Sequence, residues 1–356
     1  MDQNSGLIEH DKLYFADGDV VLSAKNETLE PQATVLFRVD KLFLSRHSEV
    51  FHNMFADASE FGQETYDGVP LVPMTDRGED LALLISIIYD PSALHNFLEG
   101  TPPAELATQV LGLADISRKY MVGKVCETIV AKVQSLWPTT LEEWDAHRRR
   151  LGEAQMEYIP ESIEACGGAF PEPASTIVFA LKHDVPSVLP AAFYQLACTR
   201  FDHVYGNDER PGDRFGAVQG FLAAHWELLD MQTLRRFLLG KEYMLGDFKA
   251  TFDGLADEVQ ADPSFHPGRS HEERHQRALC EPIMKDAVTA RLEDRLCSVS
   301  NLADLDCLQI LEESNFHVHV AELCFSCKLL VNQHVDAHRE RIWGCLPEWF
   351  RTEGDT

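Results

Sequence analysis

Along residues 34–55, TVLFRVDKLFLSRHSEVFHNMF, the spacing of apolar positions changes from two residues to three and four. Val35, Phe37 and Val39 alternate with Leu36 and Arg38, and their β-branched and aromatic side chains predict a strand. Leu42, Phe43, Val50, Phe51, Met54 and Phe55 then recur at helical steps and predict two short helices. Ser45 and Ser48 fall where one helix ends and the next is capped. Upstream, the polar first dozen residues predict a loose N-terminus. Asp17-Gly18-Asp19 predicts a turn, Val20–Lys25 a strand, and Asn26–Gln32 a connecting loop. Pro70–Met74 predicts a third strand whose prolines suit its ends or an edge position. Asp80–Tyr89 is apolar nearly all round, the mark of a buried helix. Asp90–Pro103 carries three prolines and reads as a loop. Two helices follow, over Glu105–Ser117 and Lys119–Val133. The expected core gathers Val35, Phe37, Leu42, Phe51, Met54, Phe55, Leu84 and Ile88. Strands followed by paired helices is an α+β pattern.

After Trp137-Pro138 the pattern changes. Thr140 and Glu143 have capping-box spacing for a helix over Leu141–Leu151. Glu161–Pro173 reads as a loop. Apolar helical stretches follow near Ala174–Lys182, Val188–Phe201, Phe215–Leu238 and Ala278–Cys297, broken at Gly206–Gly212 and Ala261–Gly268. No strand alternation and no internal repeat stand out, so the second half is expected to be all-α.

The first half, with Phe37-Arg38-Val39, Lys41, Leu44, Ser48, Val50-Phe51 and Met54-Phe55 in order, resembles the BTB/POZ family. The segment ALADISRKYMVGKVCE looks like that family's closing helix pair. Phe15-Ala-Asp-Gly-Asp-Val-Val makes the chain most similar to the large fungal, basidiomycete-type BTB domain-containing proteins. The tail over Leu323–Phe350, with Cys324-x-x-Cys327, Trp343 and Leu346-Pro347-x-x-Phe350, is similar to theirs as well. The expected organisation is a flexible N-terminus over 1–14, a BTB/POZ-like α+β domain over 15–135 and a helical C-terminal domain over 136–356. The resemblance implies a protein–protein interaction adaptor and no enzyme. BTB proteins that recruit cullin-3-type ubiquitin ligases carry a hydrophobic-x-Glu contact, which maps here onto Phe97, Leu98 and Glu99. The resemblance also implies self-association. The strand and helix that dimer-forming members exchange at their N-terminus have no counterpart in the dozen polar residues here.

The chain has 356 residues, 45% hydrophobic and 25% charged, room for two ordinary domains. Its net charge of −27 repels phosphate and anionic membranes, which argues against a nucleic-acid or membrane partner. Arg148-Arg149-Arg150 and Arg235-Arg236 are short and read as solvated helix faces. No apolar run reaches the roughly 18–20 residues of a membrane helix, and MDQNSGLIEHDK lacks the core of a signal peptide. The expectation is an intracellular protein, cytoplasmic or nuclear, whose nine cysteines are reduced.

His271-Glu272-Glu273-Arg274-His275 fits HExxH, the pattern in which two imidazoles hold zinc and a Glu activates water. Glu293 would be the third ligand. Ser270 and Glu273 also form a capping box, which explains a Glu-rich helix start with no metal. The alternative function, a zinc-dependent hydrolase using His271–His275, rests on this stretch, and the metal content of the purified protein is its natural test. Cys324-x-x-Cys327 with His334 and His338 looks like a zinc knot, but a continuous helix would put its ends roughly 21 Å apart. The Cys pair with Cys280, Cys307, His317 or His319 stays open as a site. No metal ligand, cofactor or catalytic residue is assigned from the sequence. There is no GxSxG elbow, no GxGxxG after a strand and no phosphate loop.

Overall fold

A computed structural model describes residues 6–26, 33–56, 64–156, 170–199, 201, 224–266, 270–298, 306–312 and 323–351. The chain separates into two compact units, divided in the main between Leu136 and Trp137.

The first unit is built on a five-stranded mixed sheet of order β1-β3-β2-β5-β4: β1 Leu7–Tyr14, β2 Val20–Asn26, β3 Ala33–Val39, β4 Thr65–Tyr66 and β5 Val69–Arg77. Strands β2 and β3 pair antiparallel from Val20↔Val39 to Asn26↔Ala33. Val20, Val21, Leu22 and Ala24 on one, and Val35, Leu36, Phe37 and Val39 on the other, are all buried. Burial on consecutive residues means that both faces of the sheet centre are covered, so the apolar run is continuous there.

Strand β1 is a correction to the loose N-terminus expected over residues 1–14. It adds to β3 in parallel, from Leu7↔Thr34 to Tyr14↔Arg38. The ladder shifts register between Glu9 and Tyr14, where the His10 ring takes the N–H groups of Lys12 and Leu13 at 3.2 Å each. An edge strand of this kind draws its order from a neighbour's backbone, so its own side chains carry only a weak alternation.

Helices α1 (Lys41–His47) and α2 (Glu49–Ala56) follow β3. Ser48 accepts the N–H of Phe51 at 3.1 Å and donates to the carbonyl of Tyr120, capping α2 as its position predicts. Phe51 is fully buried and stacks on Tyr120, with ring centroids 4.4 Å apart. Val35, Phe37, Leu84 and Ile88 are buried as expected, and Met54 and Phe55 partly so. Leu42 is not in the core: it is 65% exposed. Leu44 holds the buried position of α1, and residues two apart point to opposite sides of a helix.

The buried helix predicted over Asp80–Tyr89 is α3, Gly78–Tyr89. The loop expected over Asp90–Pro103 is instead mostly helix α4, Ser92–Gly100. Its prolines bracket the helix: Pro91 precedes it and Pro102 follows it. The Asp90 carboxylate accepts from the N–H and hydroxyl of Ser92 at 2.9 and 2.7 Å. Leu94 and Leu98, one turn apart, are buried beneath it. Helices α5 (Pro103–Lys119) and α6 (Gly123–Ser135) close the unit. Between them Met121 takes a left-handed φ of 55°, so the second helix starts later than Lys119.

The second unit is helical throughout its described residues: α7 Leu141–Met156, α8 Pro173–His183, α9 Leu189–Ala197, α10 Met231–Ala261, α11 His271–Ser298, α12 Cys307–Glu312 and α13 Phe325–Trp349, with short 3-10 turns at Pro186–Val188 and Trp226–Leu228. The capping box before α7 is present, with Glu143 N–H on the Thr140 hydroxyl at 3.2 Å and Thr140 N–H on the Glu143 carboxylate at 3.3 Å. Of the stretch predicted near Phe215–Leu238, residues 215–223 lie outside the described residues. Over the remainder the helix starts at Met231, capped by Asp230 on the Thr233 N–H at 2.7 Å, and continues past Gly240 for nearly six more turns. That glycine does not break the helix. A side chain there would collide with the ring of Phe350, which stacks on Phe193 with centroids 5.0 Å apart and whose carbonyl accepts from Arg236. The tail thus docks into a gap that Gly240 leaves open. No helix among the described residues is long and apolar enough to cross a membrane.

Candidate functional site

In the first unit a groove of about 580 Å³ runs between the end of α3, helix α4 and helix α6. Ile88, Leu94, Leu98 and Val125 give it an apolar floor, and His47 and Lys132 stand on its margin. The three candidate contact residues part company here. Leu98 is buried, 4% exposed, and belongs to the floor. Glu99 is exposed and ion-paired to Lys132 at 2.8 Å. That contact, through hydrogen bond and charge, holds the carboxyl below the usual glutamate range. Phe97 is half-buried and is not part of the groove lining. Its carbonyl accepts from the Thr101 hydroxyl at 2.7 Å, which closes the end of α4.

The HExxH stretch begins α11. Ser270 N–H donates to the Glu273 carboxylate at 3.1 Å, and Glu273 N–H donates to the Ser270 hydroxyl at 3.0 Å. The reciprocal pair is a capping box. Glu272 and His275 are exposed to solvent, the opposite of the dry, shaped cavity that zinc hydrolysis requires. The side chains of His271 and Glu293 lie outside the described residues.

Helices α10 and α13 pack antiparallel, and a ladder of polar pairs marks their seam. Arg341 grips Asp247 through both oxygens at 2.7 and 2.9 Å. His338 meets Glu258 at 2.7 Å, and His334 meets Asp262 at 3.3 Å. His334 and His338 therefore spend their ring nitrogens on carboxylates and do not join Cys324 and Cys327, in line with the length of the helix that separates them.

One step beyond Asp262 the ladder reaches His266. Its Nε2 lies 3.4 Å from the sulfur of Cys324 and 3.1 Å from that of Cys327. Cys280, in the third turn of α11, brings a third sulfur. The four ligand atoms of His266, Cys280, Cys324 and Cys327 all lie within 4.8 Å of one another. Cys280 and Cys327 are 2% and 1% exposed. Cys324 is the N-cap of α13 and Cys327 sits in its first turn, so a two-residue spacer puts both thiols at one helix end. Burial raises the Cys324 thiol, but the N–H groups of Cys327 and Ser326 and the neighbouring thiols outweigh it and leave it below the usual range. Burial pushes the Cys280 and Cys327 thiols up.

The segment carrying His266 is held firmly. Asp262 accepts the N–H of Ser264 at 2.7 Å just past the end of α10, and Phe265 is buried. His266 itself takes a left-handed φ of 41°, a conformation uncommon for any residue but glycine. The sequence pointed to Cys280 as an option for the Cys pair but not to His266. Cys307 lies elsewhere, fully buried, with its thiol raised by that burial. His317 and His319 lie outside the described residues.

A family model described as BTB/POZ domain matches residues 16–133, so the first unit carries a BTB/POZ domain. Domains of this family are protein-interaction modules that self-associate and generally lack enzymatic activity. No curated protein and no solved structure matches the chain.

Proposed function

We propose that this protein is an intracellular adaptor of the fungal BTB type, which engages a cullin-3-type ubiquitin-ligase scaffold through the α4 face and holds a client on its helical unit. The observation that carries the reading is the groove beside α4. It pairs an apolar floor of Leu94 and Leu98 with the exposed Glu99 at its rim, the arrangement of a contact in which apolar burial supplies affinity and a rim charge supplies orientation. Phe97, next to it and half-buried, offers the partner an aromatic anchor. The Phe15–Val21 segment and the Leu346-Pro347-x-x-Phe350 tail support the fungal type. The net charge of −27 fits a protein client better than a nucleic acid.

The test is pull-down of a purified cullin-3-type scaffold by the full chain. Phe97→Ala is expected to weaken capture by more than about 1 kcal/mol with the melting temperature nearly unchanged, and Glu99→Lys to weaken it further by reversing the rim charge. Parallel loss of stability and capture makes Phe97 a packing residue. Failure of the unsubstituted protein to bind any cullin removes the ligase-adaptor form of the proposal.

A further inference from the structure

The His266, Cys280, Cys324 and Cys327 cluster has no part in the adaptor reading, and its chemistry is specific. Three sulfurs and one imidazole nitrogen are soft to borderline donors, the set that selects zinc over the hard oxygen-seeking cations. Bonds of about 2.3 Å to sulfur and 2.0–2.1 Å to nitrogen give a tetrahedron with edges of roughly 3.5–3.8 Å. The observed His266–Cys324 and His266–Cys327 separations of 3.4 and 3.1 Å lie just inside that size, and the whole set falls within 4.8 Å, so small shifts bring all four atoms onto one ion. The ligands come from three places: the turn after α10, helix α11 and the start of α13. His266 and Cys324 are 58 positions apart, so no local turn explains their meeting.

We propose that His266, Cys280, Cys324 and Cys327 form a closed, four-ligand structural zinc site that pins the start of α13 to α11 and to the end of α10. Four protein ligands leave no position for a reacting water, so the ion has a folding role and no hydrolytic one. Three thiolates on a divalent ion leave one net negative charge. Two of those thiolates sit at the start of α13, where the free N–H groups of the first turn offset it. A metal-free alternative is a Cys324–Cys327 disulfide, which would use two of the four ligands and leave His266 and Cys280 facing each other for no reason.

The full chain, purified in reductant without added metal, is expected to carry one zinc per molecule by elemental analysis. Exchange for cobalt(II) is expected to give the intense visible bands of a tetrahedral thiolate site, and chelation to lower the melting temperature. Cys280→Ser, Cys324→Ser and Cys327→Ser should each lose the ion, while Cys126→Ser and Cys345→Ser keep it. His266→Gly removes the ligand and suits the left-handed backbone, so it should fold but lose zinc. His266→Cys should retain it as a four-sulfur site. A zinc-free protein whose cobalt titration shows no thiolate band overturns the proposal. So does a Cys324–Cys327 disulfide in the native protein, or zinc that survives Cys327→Ser but is lost on His275→Ala. None of these outcomes bears on capture of a cullin, so the adaptor reading and the zinc site fail separately.

Discussion

In the BTB domain two adjacent strands, Val20–Asn26 and Ala33–Val39, are neighbours in the chain and in the sheet, and nine of their fourteen residues are buried. In the helical unit the antiparallel partners Met231–Ala261 and Phe325–Trp349 are joined through some sixty residues of other chain. Closing a long segment costs entropy before any contact repays it. The first unit meets a small cost with continuous apolar burial. The second meets a larger one with apolar burial plus discrete ties along one seam: Asp247–Arg341, Glu258–His338, Asp262–His334 and the sulfur–imidazole cluster. The lesson is that the helical unit adds a seam of identifiable polar pairs to an apolar core of its own, where the BTB domain's paired strands rely on apolar burial.

The comparison can be attacked first through the apolar core. Phe51 is fully buried against Tyr120 and Phe55. Phe51→Ala is expected to cost about 3–5 kcal/mol, read from denaturant unfolding of the BTB domain's signal. A negligible cost would mean that α2 is not anchored as described.

Acid should then act on the helical unit. His147 in α7 is 3% exposed, and burial, with Arg150 and Arg148 adding, lowers its pKa from 6.5 to about 4. The unfolded chain binds the proton more readily, so stability is full above pH 6.5 and is lost as pH falls towards 4. At 1.36 kcal/mol per pH unit the loss approaches about 3 kcal/mol. Unfolding midpoints measured across that window should fall for the native chain and change less for His147→Phe. An equal slope in both would assign the acid sensitivity to other groups.

The smallest effects sharpen the reading of α11. Ser270→Ala should cost about 0.5–2 kcal/mol through the lost cap. Glu272→Ala, which would disable a zinc hydrolase, should change stability by less than about 0.5 kcal/mol and leave zinc content unaltered. Zinc content alone does not separate an adaptor from a hydrolase, because the cysteine cluster supplies a second reason for zinc to be present. Only the identity of the substitution that removes it does.

Local signals were legible wherever neighbours in the chain are neighbours in space. The Thr140–Glu143 and Ser270–Glu273 boxes, the Ser48 cap, the α3 helix and the antiparallel strand pair all fall in this class. Strand β1 was not legible, because an edge strand borrows its order from β3. Helix α4 was missed because prolines outside a helix read, residue by residue, like prolines within a loop. What Gly240 is for shows only in the ring of Phe350 packed beside it.

The amino-acid sequence alone determined the type of each long element, the change from a strand-and-helix half to a helical half, and a BTB/POZ pattern carried by residues within two or three turns of each other. It also determined that Cys324 and Cys327 share one helix end, since a spacing of three is a property of the helix itself. Only the tertiary structure decided what faces that helix end. His266, Cys280 and the Cys pair converge because α10 and α13 dock antiparallel in one register, and that register is set by side chains far apart in the chain, beyond the reach of any local period.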